Sequence, residues 1–253
     1  MNPLQRFSSR VENYVKYRPG YPATVVDFLQ SHCGLKAEQV IADVGSGTGK
    51  LTRLFLNNGN RVLGVEPNRE MREAAERLLK AYPRFASIDA TAEATTLAPR
   101  SVDMITAGQA FHWFDPEKTR AEFARILEPG GWVVLIWNDR KTDASPFLVD
   151  YEKLLLTFGT DYKEVNHRNI DAAAIGSFYG PGGFEQTTFP NAQIFDLAGL
   201  RGRLLSSSYA PEAGDPRHIP MLDALDQLFQ KHAANGTVSL DCDTLVYYGQ
   251  LPA

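Results

Sequence analysis

The stretch Gly45-Ser46-Gly47-Thr48-Gly49 constrains the fold of this chain more than any other part of its sequence. It directly follows a short apolar run at residues 40–44, and apolar residues at helical spacing follow it. Glycines in such a turn let the backbone approach a ligand and adopt angles that side chains forbid. The N-terminus of the following helix offers free N–H groups. The sequence therefore predicts a strand, a ligand-binding turn and a helix.

Strand and helix signals alternate from residue 40 to residue 137. A helix is predicted to begin at Pro22 and to end at Gly34, and two more follow the capping residues Asn68 and Asp115 over about 69–81 and 116–127. The predicted strands are 40–44, 61–65, 85–88, 102–107 and 132–137. This alternation is typical of βαβ units that form a parallel sheet with helices on both faces.

The pattern changes after residue 140. A helix is predicted between Pro146 and Gly159, an irregular segment over 160–183, a strand over 184–195, a helix capped by Asp196 and another within 216–234. Two short final strands, 237–240 and 244–250, are predicted to pair antiparallel. We interpret this half as completion of the sheet together with an inserted helical cap.

The expected fold class is therefore α/β, with a Rossmann-like, doubly wound sheet of seven strands. The sheet is mostly parallel, with an antiparallel edge strand and a small helical cap insertion. We expect one domain over 1–253, with a cofactor-binding core at 10–140, a cap and substrate-facing segment at 141–235, and the final strands at 236–253.

Charge and cysteine content narrow the class of partner. The 253 residues carry a net charge of −4 and no basic stripe, which argues against a nucleic-acid substrate. The two cysteines are far apart and form no CxxC motif, which favours a reduced, cytoplasmic setting. The sequence has neither an apolar signal core nor a membrane-length apolar run. We expect a small-molecule substrate, no membrane or nucleic-acid partner, and a monomer or homodimer.

The glycine loop favours one type of nucleotide ligand. A dinucleotide-binding GxGxxG loop needs glycine at position 50, where this chain has Lys50. The loop fits (D/E)xGxGxG, with Asp43 placed to anchor the loop's N–H groups or a ligand's ammonium group. That acid suits an amino-acid tail and would repel a pyrophosphate. Glu66, at the end of the second predicted strand, is placed to bind ribose hydroxyls.

Several motifs in order resemble the class I S-adenosylmethionine-dependent methyltransferases over about residues 10–140. They are the loop from Asp43 to Gly49, Gly64-Val65-Glu66-Pro67, and Thr91-Ala92-Glu93. Three further segments resemble the small-molecule branch of that class, the methyltransferase type 11 group with its trans-aconitate methyltransferase-like enzymes. These are Tyr17-Arg18-Pro19-Gly20-Tyr21-Pro22, Gln109-Ala110-Phe111-His112-Trp113-Phe114 and Gly202-Arg203-Leu204-Leu205-Ser206-Ser207-Ser208-Tyr209.

The resemblance implies S-adenosyl-L-methionine as the cofactor and assigns its contacts. The methionine part would be held by Asp43, Gly45, Gly47 and Gly49, and the ribose by Glu66. Pro67 and Met71 would lie near the adenosine. The adenine would be bordered by Thr91, Ala92 and Glu93. Tyr14, Arg18 and Tyr21 would close over the cofactor, with Arg18 near its carboxylate, and Gln109 would lie where donor and acceptor meet. Many relatives have an acid in place of Thr91, so Thr91, Asp89 or Glu93 must accept from the adenine amino group.

Transfer of a methyl group from a sulfonium requires mainly alignment and exclusion of water. His112, just beyond the fourth predicted strand, is the candidate general base, and the alternative is that it only shapes the pocket. Phe111, Trp113, Trp137 and Tyr209 are the other predicted pocket residues. No metal is expected, because the five histidines lack paired ligand spacing.

The expected acceptor is a small molecule, with a carboxylate or another oxygen nucleophile. Arg140, Arg168, Arg203, Arg217 and His218 are candidate anchors for an acidic acceptor, and the sequence does not rank them. Two alternatives remain open at this point. One is a non-catalytic protein that binds S-adenosylmethionine, and the other, less favoured, is an NAD-dependent dehydrogenase.

Overall fold

A seven-stranded sheet forms the centre of the computed structural model, which describes residues 11–163 and 172–252. The strands are β1 (Val40–Val44), β2 (Arg61–Val65), β3 (Phe85–Ile88), β4 (Val102–Gly108), β5 (Leu127–Arg140), β6 (Glu185–Phe195) and β7 (Val238–Gly249). Their order across the sheet is β3-β2-β1-β4-β5-β7-β6. The predicted Rossmann-like α/β class is confirmed.

Strands β1 to β5 are parallel to one another, and β7 is antiparallel to both β5 and β6. The strand that runs against the others is therefore β7, one position in from the edge, and β6 is the edge strand itself. The predicted pair of short final strands is a single strand of 12 residues. It pairs along most of its length on both sides, which explains why it does not turn back on itself.

Nine helices lie within the described residues. They are α1 (Val11–Tyr17), α2 (Thr24–Cys33), α3 (Lys50–Asn57), α4 (Arg69–Leu79), α5 (Pro116–Ile126), α6 (Pro146–Phe158), α7 (Ala172–Tyr179), α8 (Leu197–Leu205) and α9 (His218–His232). Four predicted capping side chains accept a hydrogen bond from a backbone N–H in the first turn of their helix; these are Asn68, Asp115, Ser145 and Asp196. None of the nine has the length and apolar character that crossing a bilayer requires.

The sheet separates two apolar layers because successive side chains of a strand point to opposite faces. Ile41, for example, packs with α2, α3 and α4, whereas Ala42 packs with α5 and α7. A third apolar cluster joins α6, α8 and α9 with the start of β7 and forms the helical cap. The structure thus has two layers of helices around the sheet and a cap beside it.

Three helices differ from the predictions, and the first is α1, which was not predicted. Helix α7 lies within the segment 160–183, which was predicted to be irregular, and α2 begins at Thr24, two residues after Pro22. Three alanines at its start favour a helix, but α7 has only eight residues and contains Gly176, so propensity alone stabilises it little. Burial of Ile175, Phe178 and Tyr179 against the sheet stabilises it instead.

Tyr179 anchors α7 to the sheet through a buried hydrogen bond. Its side chain is fully buried, and its hydroxyl donates toward the backbone oxygens of Val133 at 3.0 Å and Tyr247 at 3.1 Å. These two oxygens belong to β5 and β7, so the hydroxyl bridges an antiparallel strand pair.

Replacing Tyr179 by Phe is expected to lower the free energy of unfolding by about 1–2 kcal/mol, since it removes a buried hydrogen-bond donor. Urea denaturation followed by circular dichroism measures the change. The control is Tyr82→Phe, because the Tyr82 hydroxyl bonds Asn57 at an exposed position, and its effect should stay within about 0.5 kcal/mol. Equal effects of the two substitutions would contradict the anchoring role.

Candidate functional site

The glycine loop lies at the carboxyl edge of the parallel strands, between β1 and α3. Gly45, Gly47 and Gly49 all have positive φ angles, of 68°, 56° and 80°. The N–H groups of Gly45 and Ser46 both donate to the backbone oxygen of Val65, at 2.8 and 3.1 Å, which ties the loop to the end of β2. The predicted order of strand, turn and helix is confirmed.

The three glycines have different surroundings. A Cβ on Gly45 would lie 2.5 Å from the Cβ of Ala110, and one on Gly49 would lie 2.6 Å from a methyl group of Leu79. At Gly47 nothing lies within 4 Å of a built Cβ, and its backbone faces open space. Gly45 and Gly49 thus allow close packing of the loop, whereas Gly47 leaves room that a ligand can fill.

Glu66 fastens the loop to the next βα turn. One carboxylate oxygen accepts from Gly47 N and the other from Asn68 N, both at 2.8 Å. The side chain is almost completely buried, and this burial raises the pKa of its carboxyl group above the usual range. A carboxylate has about four acceptor positions, so each oxygen keeps one for a ligand hydroxyl.

Asp43 is fully buried at the end of β1. It accepts hydrogen bonds from the hydroxyl groups of Thr52 at 2.6 Å and Thr106 at 3.0 Å. Burial raises its pKa to about 6. The sequence left two roles open for Asp43, and its observed partners are side chains of α3 and β4. The loop N–H group that was an alternative partner is bound by Glu66 instead.

Two adjoining cavities open at this edge of the sheet. The Glu66 cavity also has Pro67, Asn68, Met71, Thr91, Ala92, Glu93, Ala110 and Phe114 in its wall. The Arg18 cavity is lined by polar and aromatic residues, among them Tyr21, Asp43, Thr48, Lys50, His112, Asn138, Arg140, Tyr162, Arg203 and Tyr209. Both cavities have Tyr14, Gly45, Gly47, Gly108, Gln109 and Trp113 in their walls, so the two are adjacent.

Gln109 lies where the two cavities meet. It directly follows β4 and has a φ angle of 55°, which is rare for a residue with a side chain. Its N–H donates to Ile136 O at 2.8 Å, and its side-chain amide donates to Asn138 O at 3.1 Å. These two bonds stabilise a backbone conformation that is often found at functional sites.

The segment from α1 to Tyr21 covers the cavities. Lys50 donates to Val15 O at 2.9 Å, and Arg18 donates to Ser206 O at 3.0 Å. Tyr14 lines both cavities, and burial raises the pKa of its hydroxyl group. The sequence-predicted group Tyr14, Arg18 and Tyr21 therefore does lie over the glycine loop.

The residues predicted for the adenine differ in position. Thr91, Ala92 and Glu93 line the Glu66 cavity, and Glu93 also accepts from Asp115 N at 3.0 Å. Asp89, in contrast, is mostly exposed and pairs with Arg72 at 2.7 Å. Asp89 lines neither cavity, which leaves Thr91 and Glu93 of the three candidate acceptors.

Of the predicted acceptor-pocket residues, His112 and Tyr209 line the Arg18 cavity and Trp113 lines both cavities. Phe111 and Trp137 are buried in the core beneath them, packed edge to face at a centroid distance of 6.3 Å. Both belong to the apolar layer that contains α5 and α7; Trp137 points there from β5, and Phe111 from a short 3-10 helix at Phe111–Trp113. Gly49, predicted for the cofactor, also lines neither cavity and packs on α4.

Sequence reasoning missed several residues of the cavity wall. Ser46, Thr48, Lys50 and Asn68 adjoin predicted motifs and could have been found by extending them. Ser208 belongs to a quoted motif as well, whereas Asn138 and Tyr162 come from distant segments that no local pattern marks. The five candidate anchors are now separated. Arg203 and Arg140 line the Arg18 cavity, Arg217 pairs with Asp215, His218 bonds Pro211 O, and Arg168 lies outside the described residues.

The wall fits an elongated ligand with a nucleoside and an amino-acid end. The Thr48 hydroxyl is buried in the Arg18 cavity wall and has no hydrogen-bond partner among the described residues. Together with the room beside Gly47 it offers a polar contact next to the loop. Within 11–163 and 172–252 no three His, Cys, Asp or Glu side chains are grouped to hold a metal ion.

Comparison with known proteins identifies the central segment. Residues 42–135 match the family described as "Methyltransferase domain". An uncharacterized methyltransferase of Mycobacterium tuberculosis is 39% identical over 134 residues, which are 53% of this chain and 52% of that protein. The chain thus spans about half the length of this curated relative.

Solved structures share the fold over almost the whole chain. A protein of Anaeromyxobacter dehalogenans, provisionally named a type II methyltransferase, covers 94% of this chain and all of its own, with a TM-score of 0.67 and 22% identity. A phosphoethanolamine N-methyltransferase of Haemonchus contortus, solved with S-adenosylhomocysteine, has a TM-score of 0.59 and 14% identity over 100% of this chain and 59% of its own. Residues 42–135 thus match methyltransferase domains in sequence, and the chain has the fold of solved methyltransferases.

Proposed function

We propose that this protein transfers a methyl group from S-adenosyl-L-methionine to a small-molecule acceptor, at a carboxylate or another oxygen nucleophile. The observation that carries the proposal is the adjacency of the two cavities, which share Gly108 and Gln109 in their walls. One cavity has the size and acidic wall for a nucleoside, and the other is polar and aromatic. A donor in one can therefore face an acceptor in the other.

The cofactor is bound along the glycine loop. Glu66 accepts from the ribose hydroxyls with the acceptor positions that Gly47 and Asn68 leave free. Met71 and Ala92 pack along the adenine, and Thr91 or Glu93 accepts from its amino group. At the other end Asp43 faces the ammonium group, and Arg18 binds the carboxylate. When bound, the cofactor supplies a methyl group on a positively charged sulfur that leaves as a neutral thioether.

The protein's own residues align the reactants and exclude water. Tyr14 and Trp113 lie in the wall of both cavities, and the covering segment is held down by Lys50 and Arg18. Such enclosure accelerates displacement by fixing the in-line geometry and removing competing water. An ionised carboxylate acceptor needs no base, since its pKa of about 4 leaves it deprotonated at neutral pH.

His112 shapes the acceptor side of this enclosure. The indole N–H of Trp137 points at its Nδ1 at 3.5 Å, which is long for a hydrogen bond but orients the ring. With Nδ1 facing a donor, the neutral ring carries its proton on Nε2 and offers an N–H group to the acceptor. We therefore assign His112 to hydrogen bonding of the acceptor in preference to proton removal.

The setting of the protein is proposed on the same basis. Cys33 and Cys242 are free and buried, which supports a reducing, cytoplasmic environment. A net charge of −4 supports a small-molecule partner in preference to nucleic acid. We propose that the protein itself is a monomer or homodimer.

Calorimetry with S-adenosylhomocysteine tests the cofactor proposal. Glu66→Ala is expected to weaken binding at least about tenfold, because charged hydrogen bonds to the ribose and the bracing of Gly47 are lost. The control is Glu73→Ala, whose carboxylate pairs with Arg69 on the surface and should leave the affinity unchanged. Binding of NAD without binding of S-adenosylhomocysteine would refute the cofactor assignment.

The affinity for S-adenosylhomocysteine is expected to fall about tenfold per pH unit below pH 6. Below its pKa of about 6 Asp43 becomes neutral and no longer attracts the ligand's ammonium group. The ligand 5′-methylthioadenosine lacks that group and should show a flatter profile between pH 5 and about pH 8. Asp43→Asn should bind S-adenosylhomocysteine more weakly at pH 8. In this variant the pH profiles of the affinities for the two ligands should no longer differ. Identical profiles of both ligands with the wild type would exclude the ammonium contact.

Activity is detected with methyl-labelled S-adenosylmethionine and pools of small metabolites, and the labelled product identifies the acceptor. With that acceptor, His112→Ala is expected to lower kcat/KM by a similar factor at all pH values between about 6 and 9, because it removes only a hydrogen-bond donor. If His112 were a general base, the wild-type rate would depend on pH, and the variant would lack that dependence. Absence of any labelled product would favour a protein that only binds the cofactor.

A further inference from the structure

The Arg18 cavity contains two guanidinium groups without a carboxylate partner. Arg18 and Arg203 both line it, and among the described residues neither forms an ion pair with an acid. Arg18 bonds the backbone oxygen of Ser206, and Arg203 bonds the hydroxyl of Ser207 at 3.1 Å. The Nε atoms of both side chains are inaccessible to solvent and have no hydrogen-bond partner. Each therefore has donor capacity left over.

The two charges act on each other. Burial lowers the pKa of Arg18 to about 10, and the nearby positive charge of Arg203 adds to this effect. Arginine normally stays charged far above this pH, so the local environment disfavours a second cation. Buried charges are costly unless they are paired, and a protein keeps such an arrangement where a ligand supplies the counter-charge.

Tyr209 reports the same excess of positive charge. Its burial acts to raise its pKa, yet Arg203, Arg18 and Arg140 together outweigh that effect, and the pKa of the hydroxyl is lowered. Its ring packs edge to face on Tyr162 at a centroid distance of 4.8 Å. Tyr209 lines the cavity together with the guanidinium groups, and its hydroxyl forms a hydrogen bond with Ser207.

Arg140 differs from the other two arginines of this cavity. It forms an ion pair with Glu152, and both bond the hydroxyl of Tyr162. Its charge is therefore already balanced within the fold. Among the described residues, Arg18 and Arg203 are the arginines of this cavity whose charge no acid balances.

The cofactor of the proposed function balances only one of these charges. S-adenosylmethionine has a single carboxylate, whereas its ammonium and sulfonium groups are positive. Arg18 belongs to the segment that covers the glycine loop, and it is the nearer candidate for that carboxylate by its place in the chain fold. Arg203 remains, on α8 of the cap.

We propose that Arg203 is the anchor for a carboxylate of the methyl acceptor, so that the protein acts on small carboxylic acids. The inference rests on the proposed function, because it takes the cofactor's carboxylate to be bound by Arg18. A guanidinium group binds a carboxylate through two parallel hydrogen bonds, and Tyr209 adds a hydroxyl donor at the same place. The cap thus selects the acceptor, and the sheet edge binds the cofactor.

The test uses the full-length protein and five probes. S-adenosylhomocysteine and 5′-methylthioadenosine, which lacks the carboxylate, are titrated first. Malonate, succinate and glutarate are then titrated into protein saturated with S-adenosylhomocysteine. The variants are Arg203→Gln, Arg203→Lys as the charge-preserving change, and Arg217→Gln as an arginine control in a surface pair with Asp215. Thermal melting checks that each variant is folded.

The expected result has two parts. At least one dicarboxylate binds the wild type and Arg217→Gln, and it binds Arg203→Gln at least tenfold more weakly, with partial recovery in Arg203→Lys. The affinity of all variants for S-adenosylhomocysteine stays within threefold. This combination supports an acceptor anchor, and the recovery by lysine separates it from loss of structure.

Three outcomes would overturn the inference. In the first, Arg203→Gln weakens S-adenosylhomocysteine but not 5′-methylthioadenosine, which makes the cofactor's carboxylate the ligand of Arg203. In the second, none of the dicarboxylates binds the saturated wild type. In the third, one binds both wild type and Arg203→Gln equally. Failure of the wild type to bind S-adenosylhomocysteine would instead refute the proposed function itself, and the first titration reveals that case separately.

Discussion

The site depends on one carboxylate that joins two turns. Glu66 accepts from Gly47 N in the first βα turn and from Asn68 N in the second, so it fixes the glycine loop relative to the end of β2. Asn68 in turn caps α4, and its side chain accepts from Met71 N. A single buried side chain therefore sets the loop, the helix start and the wall of the Glu66 cavity. The two backbone donors partly offset the desolvation that raises its pKa.

Much of the fold followed from local signals in the sequence. The strands up to β4 and the capped helices were predicted within a few residues because their apolar periods and capping side chains act locally. Helix α7 and helix α1 were not predicted, since packing on the sheet and on the cap stabilises them in place of propensity. The prediction divided the antiparallel strand β7 into two strands, because the polar residues Asp241 and Asp243 interrupt its apolar pattern. Alternation in that strand marks its two faces, not its ends.

The candidate site was predictable to a different degree at its two ends. Residues of the glycine loop and of the β2 end are close in sequence to recognisable motifs, and most of them line the cavities. Phe111 and Trp137 are aromatic and adjacent to such motifs, but only the direction of each side chain decides between pocket and core, and they face the core. Arg203 could not be distinguished from four other candidates, because its lack of an acidic partner is a property of the tertiary structure.

The covering segment is held mainly through its backbone. Gln193 donates to Tyr17 O, Asn138 and Asn191 donate to Gly20 O, and Lys50 donates to Val15 O. Since carbonyl groups are common to every residue type, this attachment is indifferent to the side chains at positions 15 and 20. Those two positions are free to diverge in evolution while the covering segment stays attached over the site. At Gly202 a side chain does matter, because a Cβ there would lie 2.1 Å from the ring of Tyr17. Any side chain at this position would displace the covering segment.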